Sequence, residues 1–139
     1  MAVEHGVQVV YISNHGGRQL DYTLGNIDML PEVVAAVDGR AEVVVDGGFT
    51  RGTDIVKAMA MGATAVGIGR LQAWALAAGG REGLVALLHM LETEIHTTMG
   101  LIGVKNWSEL DESYIAKTIP VREAHEHSAF PHLPGGRLV

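Results

Sequence analysis

AEVVVDGGFTRGTDIVKAMAMGATAVGIGR, residues 41–70, contains two short apolar runs that flank a segment whose apolar residues have helical spacing. The first run, AEVVV at 41–45, is rich in β-branched residues and ends at two glycines. Thr53 can cap the helix that follows, and Gly62 fits the position just after its end. The second run is TAVGI at 64–68. A buried strand, a crossover helix and a second buried strand predict a parallel sheet.

The same pattern extends towards the amino terminus. VQVVYIS at 7–13 reads as another buried strand, and apolar spacing predicts a helix at 26–37. Asn26 or Asp28 is available to cap that helix, and Pro31 fits only within its first turn. Towards the carboxyl terminus, helices are predicted at 71–78 and 82–99, with a short one near the capping-box sequence at 108–111. Alternating strands and helices predict an α/β fold, either doubly wound or a βα barrel.

Each predicted strand ends in a polar, glycine-rich turn, with the sequences SNHGG, DGG and GIGR. Because ligands of parallel α/β folds bind at the carboxyl ends of the strands, these turns are expected to share one functional face. Residues 121–139 lose periodicity and gain proline, glycine and histidine, which predicts an irregular tail.

Composition narrows the class of protein. The 139 residues are 47 % hydrophobic and 19 % charged, which is typical of a globular domain. The net charge of −6, without a basic run, argues against a nucleic-acid partner. There is no cysteine, and the first residues lack the basic and apolar regions of a secretory signal, so no export is expected. The apolar stretch at 73–78 is far shorter than the roughly 20 residues of a membrane span. We expect a soluble protein of the reducing cytoplasm.

The second and third turns suit an anion. Gly47 and Gly48 let main-chain amides approach a ligand, and Thr50 supplies a hydroxyl. Gly69 and Arg70 end the next strand beside them. Glycine turns, a helix amino terminus and a guanidinium together predict a phosphate site. The alternative is that both are simply tight connections between strand and helix.

The first turn carries His15 and Arg18. A neutral imidazole can take a proton near neutral pH, and a guanidinium can pair with a carboxylate. Together they suit the oxidation of a small acid. The alternative is that His15 is an ordinary loop histidine and that Arg18 pairs with Asp21.

The remaining candidates favour structural roles. His89, Glu92 and His96 share one face of the predicted long helix, and we interpret that face as solvated, so that no metal site is predicted. Trp74 and Trp107 are interpreted as packing residues.

SNHGGRQLD at 13–21, followed by VDGGFTRGTDIVKAMAMGATAVGIGR at 45–70, resembles the C-terminal part of the FMN-dependent 2-hydroxy-acid oxidases and dehydrogenases, the family of glycolate oxidase and of lactate and mandelate dehydrogenase. The resemblance covers about residues 2–119. It implies a (β/α)₈ TIM barrel in which this chain supplies strands six to eight, with residues 1–120 as the barrel portion.

The resemblance also implies roles for particular residues. His15 matches the catalytic base that contacts the substrate, and Arg18 matches the residue that pairs with the substrate carboxylate. The residues implied in FMN binding are Ser13, Asp46, Gly47, Gly48, Phe49, Thr50, Gly69 and Arg70. The family oxidises the Cα–OH of a 2-hydroxy acid to the keto acid and passes two electrons to flavin, so FMN and a small 2-hydroxy acid are the expected ligands.

Two departures from the family pattern stand out. The family often has arginine where Thr50 stands. The substrate-binding tyrosines, the aspartate partner of the catalytic histidine, a further substrate arginine and the lysine beside flavin N1 have no counterparts in this sequence. We therefore expect a fragment of an enzyme that is a homo-oligomer when complete, as family members commonly form tetramers. The alternative is a non-catalytic half-barrel that binds phosphate or serves in assembly.

Overall fold

The computed structural model describes residues 1–20 and 22–117, so the predicted tail at 121–139 lies outside it. In this part of the chain the strands are β1 (Val9–Ile12), β2 (Glu42–Val45) and β3 (Ala65–Val66), and the helices are α1 (Asn26–Val37), α2 (Gly52–Ala60) and α3 (Arg70–Ile102). Short 3-10 turns lie at Val3–His5, His15–Gly17, Trp107–Glu109 and Glu112–Tyr114. The strands form one parallel sheet in the order β1-β2-β3. The predicted α/β pattern with three parallel strands is confirmed.

The strands end side by side. Ile12 pairs with Val45, and Val45 pairs with Val66, and these residues close β1, β2 and β3. Because the strands are parallel, the turns that follow them open at the same edge of the sheet.

Two apolar clusters hold the helices in place. The first lies between the sheet and α1 and α2, and its fully enclosed members are Leu30, Val45 and Ala58. The second joins α2 to α3 through Val56, Ala60 and Met99. Helix packing on one face of the sheet therefore fixes where the strand ends lie.

The start of α1 differs from the prediction. The helix spans Asn26–Val37 as expected, but its N-cap is Gly25, which makes no side-chain capping bond. Asn26 is not the cap because its amide is turned inward, where it donates to Asp46. Pro31 lies in the helix interior, beyond the first turn, where it leaves one carbonyl of the preceding turn without its usual donor.

The predicted cap of α2 is also wrong. The N-cap is Arg51 rather than Thr53, and the helix begins at Gly52. Asp54 satisfies the exposed amides instead, because its Oδ2 accepts from the N–H groups of Thr50 at 3.2 Å and Arg51 at 3.0 Å. Gly62 follows the helix end with φ +94°, as predicted.

Helix α3 joins the two helices predicted at 71–78 and 82–99. Its backbone is non-helical at Gly79 and Gly80, so the predicted interruption is present as a break inside one element. The short helix predicted near 108–111 is a pair of 3-10 turns, of which the second is capped by the Asp111 carboxylate. No helix in the described residues is long and apolar enough to cross a membrane.

The apolar composition of the strands predicts burial on both faces, but β1 is partly buried on one face only. Val10 and Ile12 face the helices, whereas Val9 and Tyr11 on the other face are 44 % and 55 % exposed. The pairing of Tyr11 with Val44, and of Val44 with Ala65, continues this second face across the sheet. Among the described residues nothing covers this apolar face of the sheet.

Candidate active site

The turn after β1 has an unusual backbone. His15, Gly16 and Gly17 have φ values of +53°, +68° and +75°, in the left-handed region. Glycine adopts this region freely, but for His15 it costs energy. Asn14 stabilises the turn by accepting the Gly16 N–H through Oδ1 at 3.0 Å. Strain at a non-glycine residue is a feature that recurs at functional sites.

The imidazole of His15 is exposed and has two polar neighbours. Its Nδ1 lies 2.7 Å from Gln19 Oε1, and its Nε2 lies 3.4 Å from Arg18 Nη1. Because a guanidinium can only donate, the consistent assignment is a neutral ring that carries its proton on Nδ1 and donates it to Gln19. Nε2 then keeps its lone pair on the side of Arg18. Asp21, the alternative partner of Arg18, lies outside the described residues.

Asp46, at the end of β2, collects hydrogen bonds from two other elements. Its carboxylate accepts from Ser13 Oγ at 3.0 Å and from Asn26 Nδ2 at 3.1 Å. The Tyr11 hydroxyl is a third donor, and desolvation, the Asp46 charge and this hydrogen bond together raise the pKa of Tyr11 above its ordinary value. Asn26 and Tyr11 had no predicted role here.

The two glycine turns offer main-chain donors. Gly47 and Gly48 have φ values of +89° and +82°, and within the described chain their N–H groups have no acceptor. The same holds, in the described residues, for Arg70 and the two residues after it in the first turn of α3. Unpaired amides at a turn and at a helix amino terminus favour an anion.

The amino terminus of α2 does not take part in such a site. Asp54 occupies the amides of Thr50 and Arg51, and Glu94 Oε2 accepts the Gly52 N–H at 2.7 Å. Glu94 also pairs with Arg51, with 2.6 Å between Oε1 and Nη2. Carboxylates of this chain therefore occupy the amides of Thr50, Arg51 and Gly52 at that helix start, whereas the first three amides of α3 have no acceptor in the described residues.

One cleft of about 540 Å³ brings most of the predicted residues together at the carboxyl edge of the sheet. The predicted residues in its lining are His15, Arg18, Asp46, Gly47, Gly48, Phe49, Thr50, Gly69 and Arg70. The guanidinium of Arg70 crosses towards the first turn, since its Nη2 is 3.6 Å from where a Cβ on Gly16 would lie. The three turns therefore form one concave surface.

Three residues lie in surroundings that differ from those predicted from the sequence. Ser13 is absent from the lining, because its hydroxyl is engaged by Asp46 and by the His15 N–H. Phe49 is 7 % exposed and packs in the first apolar cluster, which leaves only its main chain for a ligand. Trp74, interpreted from sequence as a packing residue, is 61 % exposed and lines the cleft. An apolar ring at the mouth of a polar cleft can contact a planar ligand.

The parallel sheet with its cleft at the carboxyl edge matches a known class. The model of the FMN-dependent dehydrogenase family covers residues 1–117, and the chain belongs to this family. Among its relatives, the L-lactate oxidase of Nostoc sp. is 50 % identical over 114 residues, which are 82 % of this chain. The 2-hydroxyacid oxidase 2 of Homo sapiens is 46 % identical over 115 residues, which are 83 % of this chain.

Solved structures agree with this membership. A mandelate oxidase variant that holds a monooxide FMN adduct superimposes with a TM-score of 0.76 and 49 % identity, over 78 % of this chain and 35 % of that one. The chain spans 31 % of the Nostoc relative and 33 % of the human one. It therefore accounts for about a third of the length of the proteins it matches.

Proposed function

We propose that this chain forms strands six to eight of a (β/α)₈ barrel in an FMN-dependent enzyme that oxidises an L-2-hydroxy acid to the 2-keto acid. One observation carries the proposal, namely that the histidine turn and both glycine turns line a single cleft. A base, a carboxylate anchor and an anion site are the parts that this reaction needs from the protein.

His15 is the proposed catalytic base. Its ring is exposed to the cleft, and with Nδ1 protonated its Nε2 can accept one of the protons that the substrate loses. An imidazole suits this task because its ordinary pKa is close to neutral. The left-handed backbone of His15 supports the assignment, since such strain is kept where a side chain must be aimed.

Arg18 is the proposed anchor for the substrate carboxylate. Its guanidinium reaches within 3.4 Å of His15 Nε2, so a carboxylate bound to Arg18 lies beside the base. The planar fork of a guanidinium matches the two oxygens of a carboxylate. Binding the acid group and removing a proton next to it are therefore coupled in one turn.

FMN fits the other side of the cleft. The free amides of Gly47, Gly48 and the first turn of α3, with the Arg70 guanidinium, provide donors and positive charge for its phosphate. Gly48 and Gly69 have open space where a Cβ would stand. FMN, when bound, accepts the two electrons removed from the substrate. The Asp46 carboxylate already accepts from three side chains of this chain, those of Ser13, Asn26 and Tyr11. We therefore propose that its main role is to orient these neighbouring groups of the site.

A second candidate is a protein that binds phosphate without catalysis. One observation favours it, namely that the anion side of the cleft is built from this chain alone, by the two glycine turns and Arg70. This candidate predicts that the chain binds FMN or inorganic phosphate but supports no oxidation.

The proposal is tested with a hybrid enzyme. In the Nostoc L-lactate oxidase, the segment that matches this chain is replaced by residues 1–117 of this chain. We expect the hybrid to retain FMN and to bleach its absorbance when L-lactate is added without oxygen. His15→Ala should slow this reduction by about 10²- to 10⁴-fold with FMN still bound, because general-base catalysis contributes that much. Arg70→Ala should instead weaken FMN binding.

Matched controls separate these effects from folding. His5→Ala and Arg81→Ala change exposed residues that do not line the cleft, and both should leave binding and reduction unchanged. Unchanged reduction in His15→Ala would refute the catalytic assignment. A hybrid that binds FMN but is never reduced by L-lactate would favour the non-catalytic candidate.

A further inference from the structure

Asn26 is the buried polar residue of the described chain, with 6 % of its surface exposed. Its side-chain Nδ2 donates to the Asp46 carbonyl oxygen at 2.9 Å and to Asp46 Oδ1 at 3.1 Å. An amide nitrogen carries two hydrogens, so both are used on one residue. Asn26 therefore holds the main chain and the carboxylate of Asp46 at the same time.

This contact also defines the glycine turn that follows β2. A Cβ on Gly47 would lie 2.8 Å from Asn26 Nδ2, so the amide packs directly against that residue. Gly47 has φ +89°, a conformation that the neighbouring contact has to maintain. The orientation of the Gly47 N–H, one of the free donors of the cleft, thus depends on the first residue of α1.

From Asp46 the contacts continue to the histidine turn. Ser13 Oγ donates its single proton to Asp46 Oδ2 at 3.0 Å, which leaves its lone pairs for the His15 N–H at 3.1 Å. The Asp46 carboxylate thereby decides which way the Ser13 hydroxyl points. The hydrogen bond from the His15 N–H to Ser13 Oγ therefore stabilises the left-handed backbone of His15.

We propose that Asn26 is a positioning residue that couples the glycine turn after β2 to the backbone of His15 through Asp46 and Ser13. Asn26 is not a catalytic residue, because it does not line the cleft. The importance of this coupling for catalysis rests on the proposed function, but the coupling itself is a property of the chain and can be measured without FMN.

The structural test uses the 139-residue chain and the variant Asn26→Asp. Aspartate has nearly the same shape but lacks both donors and places a carboxylate against Asp46. We expect the amide proton of His15 to acquire the shift and temperature coefficient of a solvent-exposed amide in ¹H–¹⁵N spectra. The amide of Gly16, which is held by Asn14 instead, is the internal control and should not change.

The functional test places Asn26→Asp in the hybrid with the Nostoc L-lactate oxidase. Losing hydrogen bonds to a charged group should raise the Kd for FMN about tenfold and lower kcat about tenfold. The KM for L-lactate should stay within about twofold, since Arg18 is outside this network. Asn26→Ser, which keeps one donor, should recover part of both losses.

A destabilised control guards against an effect of folding alone. Val43→Ala creates a cavity in the first apolar cluster without touching the network. The proposal is overturned if Asn26→Asp leaves the His15 amide unchanged, or if Val43→Ala reproduces its effects. Should Asn26→Asp not fold, Asn26→Ser decides by the same comparison. A hybrid with native residues that L-lactate does not reduce would refute the proposed function, while the spectra still decide the role of Asn26.

Discussion

A carboxylate that is distant in the sequence stabilises the start of α2, where local patterns predicted Thr53 as the cap. This carboxylate belongs to Glu94, which lies on α3 and binds the Gly52 N–H and the Arg51 guanidinium. Burial pushes the pKa of Glu94 up, but the hydrogen bonds from Arg51 and Gly52 and the charge of Arg51 outweigh it. The net pKa of Glu94 is below its ordinary value.

The lowered pKa of Glu94 makes the free energy of unfolding depend on pH in the acid range. Because folding favours the ionised form of Glu94, its contribution is present above its unfolded pKa and is lost as the pH falls through the lowered folded pKa, that is below about pH 4.5. Glu94→Gln should cost about 1 kcal/mol near neutral pH, a modest value because Arg51 is partly exposed. Urea unfolding at about pH 7 and about pH 3 measures both effects. Glu92→Gln, an exposed control, should change neither.

Helices α2 and α3 are in close contact at Gly52, where α2 begins. A Cβ on Gly52 would lie 2.5 Å from Glu94 Cβ and 2.7 Å from both Ile95 N and Leu91 O. Two of these atoms belong to the main chain of a helix and cannot move aside. The absence of a side chain at Gly52 therefore sets the distance between the two helices.

This contact predicts different results for two glycines. Gly52→Ala should lower the free energy of unfolding by about 1–3 kcal/mol through overpacking. Gly100→Ala, on α3 with open space around its Cβ position, should be neutral or raise it by up to about 1 kcal/mol. Thermal and urea unfolding compare them. Equal effects of the two substitutions would argue against a close contact at Gly52.

At the scale of the whole molecule, the exposed apolar face of the sheet is the feature that most affects association. Within the described residues β1 and β3 are the edge strands, and Val9 and Tyr11 expose apolar surface on the face away from the helices. Unpaired strand edges beside an apolar face promote association. Strands that are apolar on both faces are typical of a barrel, where the second face is packed inside.

We expect the 139-residue chain to self-associate through this face as its concentration rises. Val9→Lys should weaken the association, because a charge on an edge strand opposes pairing. Leu101→Lys, at an 83 % exposed position on α3, is the matched control and should have little effect. Sedimentation velocity over a range of concentrations measures both. Association that resists Val9→Lys but is lost in Leu101→Lys would place the contact on α3.

Several features could be predicted from neighbouring residues alone. Apolar runs and helical spacing predicted three strands of a parallel sheet, and the bounds of α1 were predicted at 26–37. Glycine runs predicted the turns, and the SNHGGRQLD sequence with its spacing to the glycine turns predicted the family. These features depend on local conformation, which a residue and its neighbours largely determine. The roles of His15, Arg18 and the FMN-binding residues stay predictions.

Other features needed the tertiary structure. Asn26 and Asp46 are 20 positions apart, and Gly52 and Glu94 are 42 apart, so no local pattern could pair them. Local rules predicted Asn26 or Asp28 as the cap of α1 and Thr53 as the cap of α2, because such residues favour helix starts in general. In the folded chain the Asn26 amide bonds to Asp46, and the N-cap of α2 is Arg51, whose N–H is accepted by the Asp54 carboxylate. The sequence alone thus determined the elements and the family, whereas which polar groups meet was decided by packing, because a buried donor bonds to whatever acceptor the fold brings near.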